Sequence, residues 1–370
     1  MNTQLNITNK KEKQKVSLMQ ILTNYSVPLL FFAICLVGVY VSKLNPTYIL
    51  NEIAVRLSRN LFLVLALIIP VIAGMGLNFA IVIGAMAGQI GLITIKVFDM
   101  GGFSGFMMAI LFTTPFALLF GYGTGLILNK TKGKEMITSL MLGYFANGLY
   151  QLVFLTFMGT LIPVKNPEII LSGGVGLKNA LDLKFIQYSI DNILRPNIMG
   201  VKIPLVTLLL VVALCFVIKF LVKTKLGQDF RALGQDINIA EVSGIKTDKV
   251  RLIAITISTV LAAWGQVIFL QNIGTLNTYN SHEQVGLFSI AALLVGGASV
   301  TKATIGQAVV GVLLFHTLFI VSPFAGKNLF GDAQIGEYFR SFIAYGVIAV
   351  SLVLHAWQKY MNAKNREKLE

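Results

Sequence analysis

Residues Asn60–Val97 read NLFLVLALIIPVIAGMGLNFAIVIGAMAGQIGLITIKV, about 38 residues whose single charge, Lys96, lies almost at the end. A bilayer core of about 30 Å takes roughly 20 apolar residues per helix. The stretch therefore holds either two spans, or one span and a half-helix broken around Pro70, Gly74 and Gly76. Pro and Gly interrupt helices, and a break at membrane depth is tolerated only where other protein covers the freed backbone. The rest of the chain agrees with a membrane solvent. It is 55% apolar and 12% charged, with mean hydropathy +0.76, and soluble domains carry about twice that charged fraction. A soluble enzyme, a secreted disulfide scaffold and a DNA-binding domain are excluded. The net charge of +14 calls for no nucleic acid, because basic loops are held against the anionic headgroups of membrane lipids.

Ten apolar segments follow from the runs and their punctuation: Ser26–Ser42, Asn60–Gly76, Leu77–Val97, Phe103–Leu128, Met136–Gly159, Ile203–Leu221, Val250–Gln271, Gly286–Ala298, Thr304–Val321 and Ser341–Trp357. The expected architecture is all-α, a polytopic integral membrane protein with about ten transmembrane helices. The second interruption, at Gly296, Gly297 and Lys302, gives each half a broken hydrophobic hairpin, a pointer to internal repetition in transporters. Lysines and arginines set the orientation. With both termini cytoplasmic, the tail 1–25, the turn holding Lys130, Lys132 and Lys134, the loop Lys223–Lys249 and the tail 358–370 all fall inside. Lys43, Arg56, Arg59 and a segment of about 43 residues, Thr160–Lys202, fall outside. The membrane domain then covers 26–357. The first 25 residues are polar and show no signal-peptide layout.

Several chemistries find no support. There is no GxxxxGK[ST] phosphate loop, and GASVTK at Gly297–Lys302 lacks the second glycine, so the chain has no visible means of binding ATP itself. His282, His316 and His355 are scattered and offer no metal geometry; His316 reads as a bundle residue. Cys35 and Cys215 lie inside apolar runs, unlike a structural disulfide. No nucleophile and base motif is present. Asp99, Glu283 and Glu337 sit at span edges, which argues against an ion-coupled carrier, since such carriers bury a carboxylate on the ion path.

The loop KTKLGQDFRALGQDINIAEVSGIKTDKVRL, Lys223–Leu252, carries the functional signal. Apolar residues at 237, 239, 240 and 242 make Ile237–Val242 a short amphipathic helix, with Gly234 and Gly244 permitting sharp entry and exit. The loop resembles the signature of permease subunits of bacterial ABC importers for simple sugars, nucleosides and branched-chain amino acids, G-x-x-x-R-A-x-G-x-N-P-x-A-A-x-x-S-G-I. Gly227, Arg231, Ala232, Gly234, Ala240, Ser243, Gly244 and Ile245 match, while Asp236, Ile237 and Ile239 depart from the pattern and weaken its helix-start signal. Similarity to these permeases extends over residues 60–350, through Ile69–Gly91, Lys134–Val153 and Leu293–Gly311, with Thr301 and Lys302 replacing the usual glycines.

The resemblance implies a type II ABC importer-like permease bundle in the bacterial inner membrane. It is not an enzyme, and ATP and Mg stay on a partner ATPase. The implied partners are ABC ATP-binding subunits, an extracytoplasmic substrate-binding protein or lipoprotein, and a second permease, identical or not. The implied cargo is a simple sugar such as ribose or galactose, or a nucleoside, with a branched-chain amino acid as the alternative. The loop would be the coupling element, with Asp236 and Glu241 beside the matching residues, Arg231 anchoring it, and Ala240 packed against the ATPase.

Amides inside spans must find partners in protein or water. Asn78, Gln89, Tyr144, Asn147 and Gln266 are the expected pathway residues, Tyr144 and Asn147 sharing one helical face; Gln151 and Gln307 are further amides. For each, hydrogen bonding between helices is the competing role. Gly84 and Gly88 form a GxxxG, which signals close helix packing.

Overall fold

The computed structural model describes residues 26–164 and 166–367. The expected tail 1–25 and Lys368 lie outside them. Among the described residues thirteen α-helices dominate: α1 Ser26–Ser42, α2 Pro46–Ala66, α3 Ile68–Ile72, α4 Ile81–Val97, α5 Gly102–Asn129, α6 Glu135–Leu152, α7 Leu205–Leu221, α8 Lys225–Gln235, α9 Ile237–Val242, α10 Thr247–Ile273, α11 Ser281–Val295, α12 Ile305–Phe330 and α13 Ala333–Glu367. A π-turn, Val153–Phe157, extends α6. Strands are short: β1 Ala180–Asp182 pairs antiparallel with β4 Thr275–Asn277, and β2 Asn197–Ile198 with β3 Val201–Lys202.

Each of the ten apolar segments falls on a helix, but fewer are long enough to cross a bilayer alone. Among the described residues five qualify, namely Pro46–Ile72, Gly102–Asn129, Glu135–Phe157, Thr247–Ile273 and Ile305–Phe330, with α7 and α8, bent by 75°, making a sixth. α1, α4 and α11 are apolar but shorter.

Several helix boundaries differ from the sequence reading. The second span begins at Pro46 rather than Asn60, because Asn45 caps the backbone N–H of Thr47 at 2.9 Å and Pro46 stands at the first position, where its missing N–H costs nothing. Arg56 and Arg59, read as loop residues, therefore sit on α2, Arg56 paired with Glu52 one turn back at 3.2 Å. α11 starts at Ser281, and α13 runs on through 358–367. Gly234, read as a turn, lies inside α8.

The centre is α4 against α10. A Cβ on Gly84 would stand 2.6 Å from the Thr259 carbonyl oxygen, and one on Gly88 2.6 Å from that of Ala263. The two helices thus meet backbone to backbone, as small residues allow where lipid supplies no hydrophobic drive between helices. Between α2 and α3 the helical hydrogen bonding is interrupted at Leu67, whose N–H bonds Val64 O at 3.2 Å. Pro70 has no N–H to give the Ala66 carbonyl, and Ser258 Oγ on α10 donates to that oxygen instead, at 2.8 Å.

The α3–α4 break, 73–80, turns on Gly74 and Gly76, both at φ +73°. α8 covers it: a Cβ on Gly74 would lie 2.8 Å from Gly234 Cα. Ser139 on α6 accepts from the Phe79 N–H at 3.2 Å. The second break, 296–304, lies alongside, Val300 approaching Gly76, and Gln307 Nε2 donates to Gly297 O at 2.6 Å.

The two ends of α10 carry different structures. At its C-terminal end Asp191, buried, accepts from Gln271 at 3.2 Å, Asn272 at 2.6 Å and Thr207. Arg59 donates to Asn272 Oδ1 at 2.8 Å. Lys96 pairs with Glu168 at 2.9 Å and lies 4.9 Å over the Phe185 ring. Here the 160–202 segment and β1–β4 gather. At the N-terminal end are α8, α9 and the 130–134 turn. There Arg251, buried, bonds Glu135 at 2.8 Å, the Leu128 carbonyl at 3.1 Å and Asn129 Oδ1 at 3.0 Å.

Removing one member of a buried pair strands the other charge. Arg251→Met should therefore destabilise the protein by about 3–5 kcal/mol, while Lys132→Ala, whose pairs are solvent-exposed, should cost at most about 1 kcal/mol. Thermal unfolding of both variants in one detergent checks the difference.

Candidate functional site

The loop between α7 and α10 folds into two capped helices. Thr224 caps α8, accepting from the Gly227 N–H at 3.3 Å. Arg231 Nη2 donates to Val222 O at 2.9 Å and closes the bend onto the end of α7. Asp236, which departs from the family pattern, is itself the cap of α9: its Oδ1 accepts from the N–H groups of Asn238 at 2.8 Å and Ile239 at 3.2 Å. Gly244 leaves α9 at φ +84°, the left-handed turn that glycine takes without strain. Ser243 bonds back to Ile239 O at 2.7 Å.

The faces of α9 differ from the sequence reading. Ala240 is 2% exposed and packs into the chain's own core, as Ala232 and Ile245 do in part. Ile239 and Val242, at i and i+3, project outward at 67% and 91% exposed. Two bare aliphatic side chains thus stand side by side on one turn of a polar loop. Its inner edge is wired to the membrane helices. Glu241 pairs with Lys132 at 3.4 Å and accepts from Thr247 at 2.8 Å. Lys132 also pairs with Asp248 at 2.8 Å, and this hydrogen bond raises the lysine above its ordinary pKa, so it stays cationic. Asn129 Nδ2 donates to Asp248 O at 2.8 Å.

A second polar cluster lies among α4, α6 and α11, toward the β1–β4 end. Tyr150 donates to Gln89 Oε1 at 2.9 Å. His282 Nδ1 is 2.9 Å from Gln89 Oε1, and its Nε2 is 2.9 Å from Asn147 Oδ1. Asn147 Nδ2 donates to Glu283, and Gln151 Nε2 donates to Asn147 Oδ1 at 3.3 Å. With a carbonyl oxygen on each side, the ring would need two protons, and Gln89 Nε2 would stay buried without a partner. Turning over the Gln89 amide removes the need for a second ring proton: its nitrogen, then facing both Nδ1 and the Tyr150 hydroxyl, donates to each, one ring proton on Nε2 serves Asn147, and the amide oxygen takes the buried position that has no partner.

Of the expected pathway residues, Gln89 and Asn147 therefore meet in one cluster. Tyr144 is exposed one turn before Asn147. Asn78 caps its own turn, accepting from the Ala80 N–H at 3.1 Å. Gln266 is buried on α10 against Gly88, with neither amide atom bonded. Tyr150, His282 and Glu283 were not among the expected site residues. The available signal was the pair His282-Glu283 opening an apolar helix. His316 sits beside Phe315 and Phe319 with Nδ1 unbonded, and Lys302 is exposed in the 296–304 loop. Among the described residues no three His, Cys, Asp or Glu side chains converge as metal ligands.

A family model described as branched-chain amino acid transport system, permease component, matches residues 49–354. The chain is 27% identical over 205 residues to the autoinducer 2 import system permease protein LsrC of Photorhabdus laumondii, covering 53% of this chain and 60% of the relative. It is 29% identical over 160 residues to LsrC of Yersinia pestis strain Pestoides F, 42% of each. To the ribose import permease protein RbsC of Bacillus subtilis it is 26% identical over 162 residues, 43% of this chain and 47% of the relative. The chain thus spans about half the length of the curated relatives it matches. No solved structure matches. The match over residues 49–354, most of the membrane part and the whole capped loop, makes the chain a member of the family of branched-chain amino acid transport system permease components.

Proposed function

We propose that the chain is the membrane-spanning permease subunit of an ABC uptake system for a small polar solute of the sugar or nucleoside kind, powered by ATP on a separate ATPase. The observation that carries this reading is α9. It is a capped helix at the end of the bundle, with Ile239 and Val242 bare on one side and Glu241 wired through Lys132 and Asp248 to the α5–α6 turn on the other. Such a helix suits docking into a groove of a partner and passing its displacement to α6 and α10. Family membership and relatives named for importing autoinducer 2 and ribose support the same reading. ATP and Mg belong to the partner. An extracytoplasmic binding protein delivers the solute, and a second permease completes the pathway.

In this reading the chain crosses the inner membrane ten times, by α1, α2–α3, α4, α5, α6, α7, α10, α11, α12 and α13, with α9 and both termini cytoplasmic. The contacts at each end favour it. Asn328 on α12 bonds Val41 O at the far end of α1, at 2.9 Å, and a Cβ on Gly297 would lie 2.9 Å from Pro28 at the start of α1. Breaks, basic turn and α9 thus collect at one end, and the 160–202 segment at the other.

The purified chain should hydrolyse no ATP, and reconstitution with its cognate ATPase should give ATP-dependent uptake; uptake driven by an ion gradient alone would sink the reading. Ile239→Asp combined with Val242→Asp should cut co-purification of the ATPase at least tenfold while leaving thermal stability of the permease within about 0.5 kcal/mol, as for exposed sites. Ala240→Arg should instead destabilise the permease itself, since its position is buried. Cysteine labels at positions 132 and 246 should react from one side of the membrane, and one at 178 only from the other.

A further inference from the structure

The cluster of Gln89, Asn147, Tyr150, His282 and Glu283 contains a carboxylate that its neighbours do not neutralise. Among the described residues Glu283 receives one side-chain hydrogen bond, from Asn147, and it joins none of the ion pairs. A carboxylate offers about four acceptor positions, so one neutral amide leaves most of its capacity unused. It is held without a cation because it stands in the first turn of α11, where the free N–H groups of the helix favour negative charge.

Behind Glu283 the cluster is closed: Gln89 and His282 are fully buried and Tyr150 nearly so. In front it opens. Asn147 and Glu283 are half-buried, and Tyr144 stands exposed one turn earlier on α6. The open side thus shows an acceptor-rich carboxylate, an amide that both donates and accepts, and the aromatic ring of Tyr144. Hydroxyl groups on a carbon skeleton match that set: pairs of O–H donors reach the carboxylate, the amide serves a third hydroxyl, and C–H faces lie against that ring. Among the described residues no lysine or arginine bonds to the cluster, so a phosphate or a free carboxylate would face Glu283 with no compensating cation from them, at a cost that grows as water is excluded.

We propose that Asn147 and Glu283, positioned from behind by His282 and Gln89, form a subsite that binds a neutral polyhydroxylated solute, Glu283 accepting hydroxyl protons in place of the Asn147 amide. The proposal rests on the uptake reading above and narrows its substrate class. Anionic sugars and amino acids are rejected by charge, and a deoxy analogue is disfavoured because it leaves an acceptor unpaired.

The test uses the permease–ATPase complex in nanodiscs, without a binding protein, and measures retention of labelled ribose, galactose and adenosine against leucine and ribose 5-phosphate. The wild type should retain at least one neutral probe in preference to both charged ones, and prefer it over its deoxy counterpart. Glu283→Gln should weaken retention at least tenfold and shrink the preference over the deoxy form toward one, with Glu283→Asp in between, while the size-exclusion profile of the complex stays unchanged. Asn147→Ser carries the same expectation should Glu283→Gln not assemble. Retention by Glu283→Gln within twofold of wild type, preference for leucine or ribose 5-phosphate, or no retention of any neutral probe overturns the proposal. ATP-driven uptake by the complete system separates the two levels: its absence removes the uptake reading, whereas intact uptake with an indifferent Glu283→Gln removes the subsite alone.

Discussion

Backbone contact between α4 and α10 is the constraint on which the rest of the bundle depends. Dispersion and hydrogen bonding must hold membrane helices together, because lipid tails are as apolar as leucine. Gly84 and Gly88 remove the side chains that would keep α4 away from the Thr259 and Ala263 carbonyls. The same device recurs around α4: a Cβ on Gly91 would lie 2.7 Å from Ala109 O on α5, and one on Gly286 of α11 would lie 2.6 Å from Val82. A helix too short to span alone thereby becomes the hub for α5, α10 and α11. Its central position also brings Gln89 within reach of α6 and α11, so the polar cluster is a consequence of glycine packing.

Breaking the helices next to that hub leaves backbone groups that lipid cannot satisfy, each worth several kcal/mol. The chain answers locally. Ser258 supplies the donor that Pro70 lacks, Ser139 accepts from Phe79, and Gln307 donates to Gly297. The breaks are consequently fixed by named bonds. Gly234 of α8 presses on Gly74 with no side chain between, so a displacement of α8 meets the α3–α4 break directly. Gly76 and Val300 extend that contact to the second break.

What was legible in the sequence followed from local periodicity. Each apolar run fell on a described helix, five or six of them long enough to span, and the alternation at 237–242 marked α9, whose length needs no distant partner. Boundaries failed where charge was read as exposure: Arg59 is accommodated on α2 by Asn272, 213 residues away, and the Asn45-Pro46 start was the overlooked local signal. The direction of Ala240 was hidden because the six-residue helix carries apolar side chains on both sides, and only the packing of α8 and α10 decides which turn inward. In the polar cluster, amide chemistry pointed to Gln89 and Asn147 one at a time. Their partners Tyr150, Glu283 and His282 lie 61, 136 and 193 residues away, a separation that no motif within one segment can record.

The two polar assemblies share one helix. At its start α6 is tied by Glu135 to Arg251, close to the Lys132 bridge from α9; near its other end Asn147 and Tyr150 reach α11 and α4. Between these anchors α6 stands off from α5 across an apolar cleft of about 800 Å³, walled by Ile83, Met86, Phe116, Phe120 and Phe145 among others. Directional bonds resist displacement at the ends, whereas apolar walls facing lipid chains exchange one set of weak contacts for another at little net cost. α6 is therefore held at its two ends by bonds that have a direction and along its middle by contacts that have none, so Glu135, Asn147 and Tyr150 set its position.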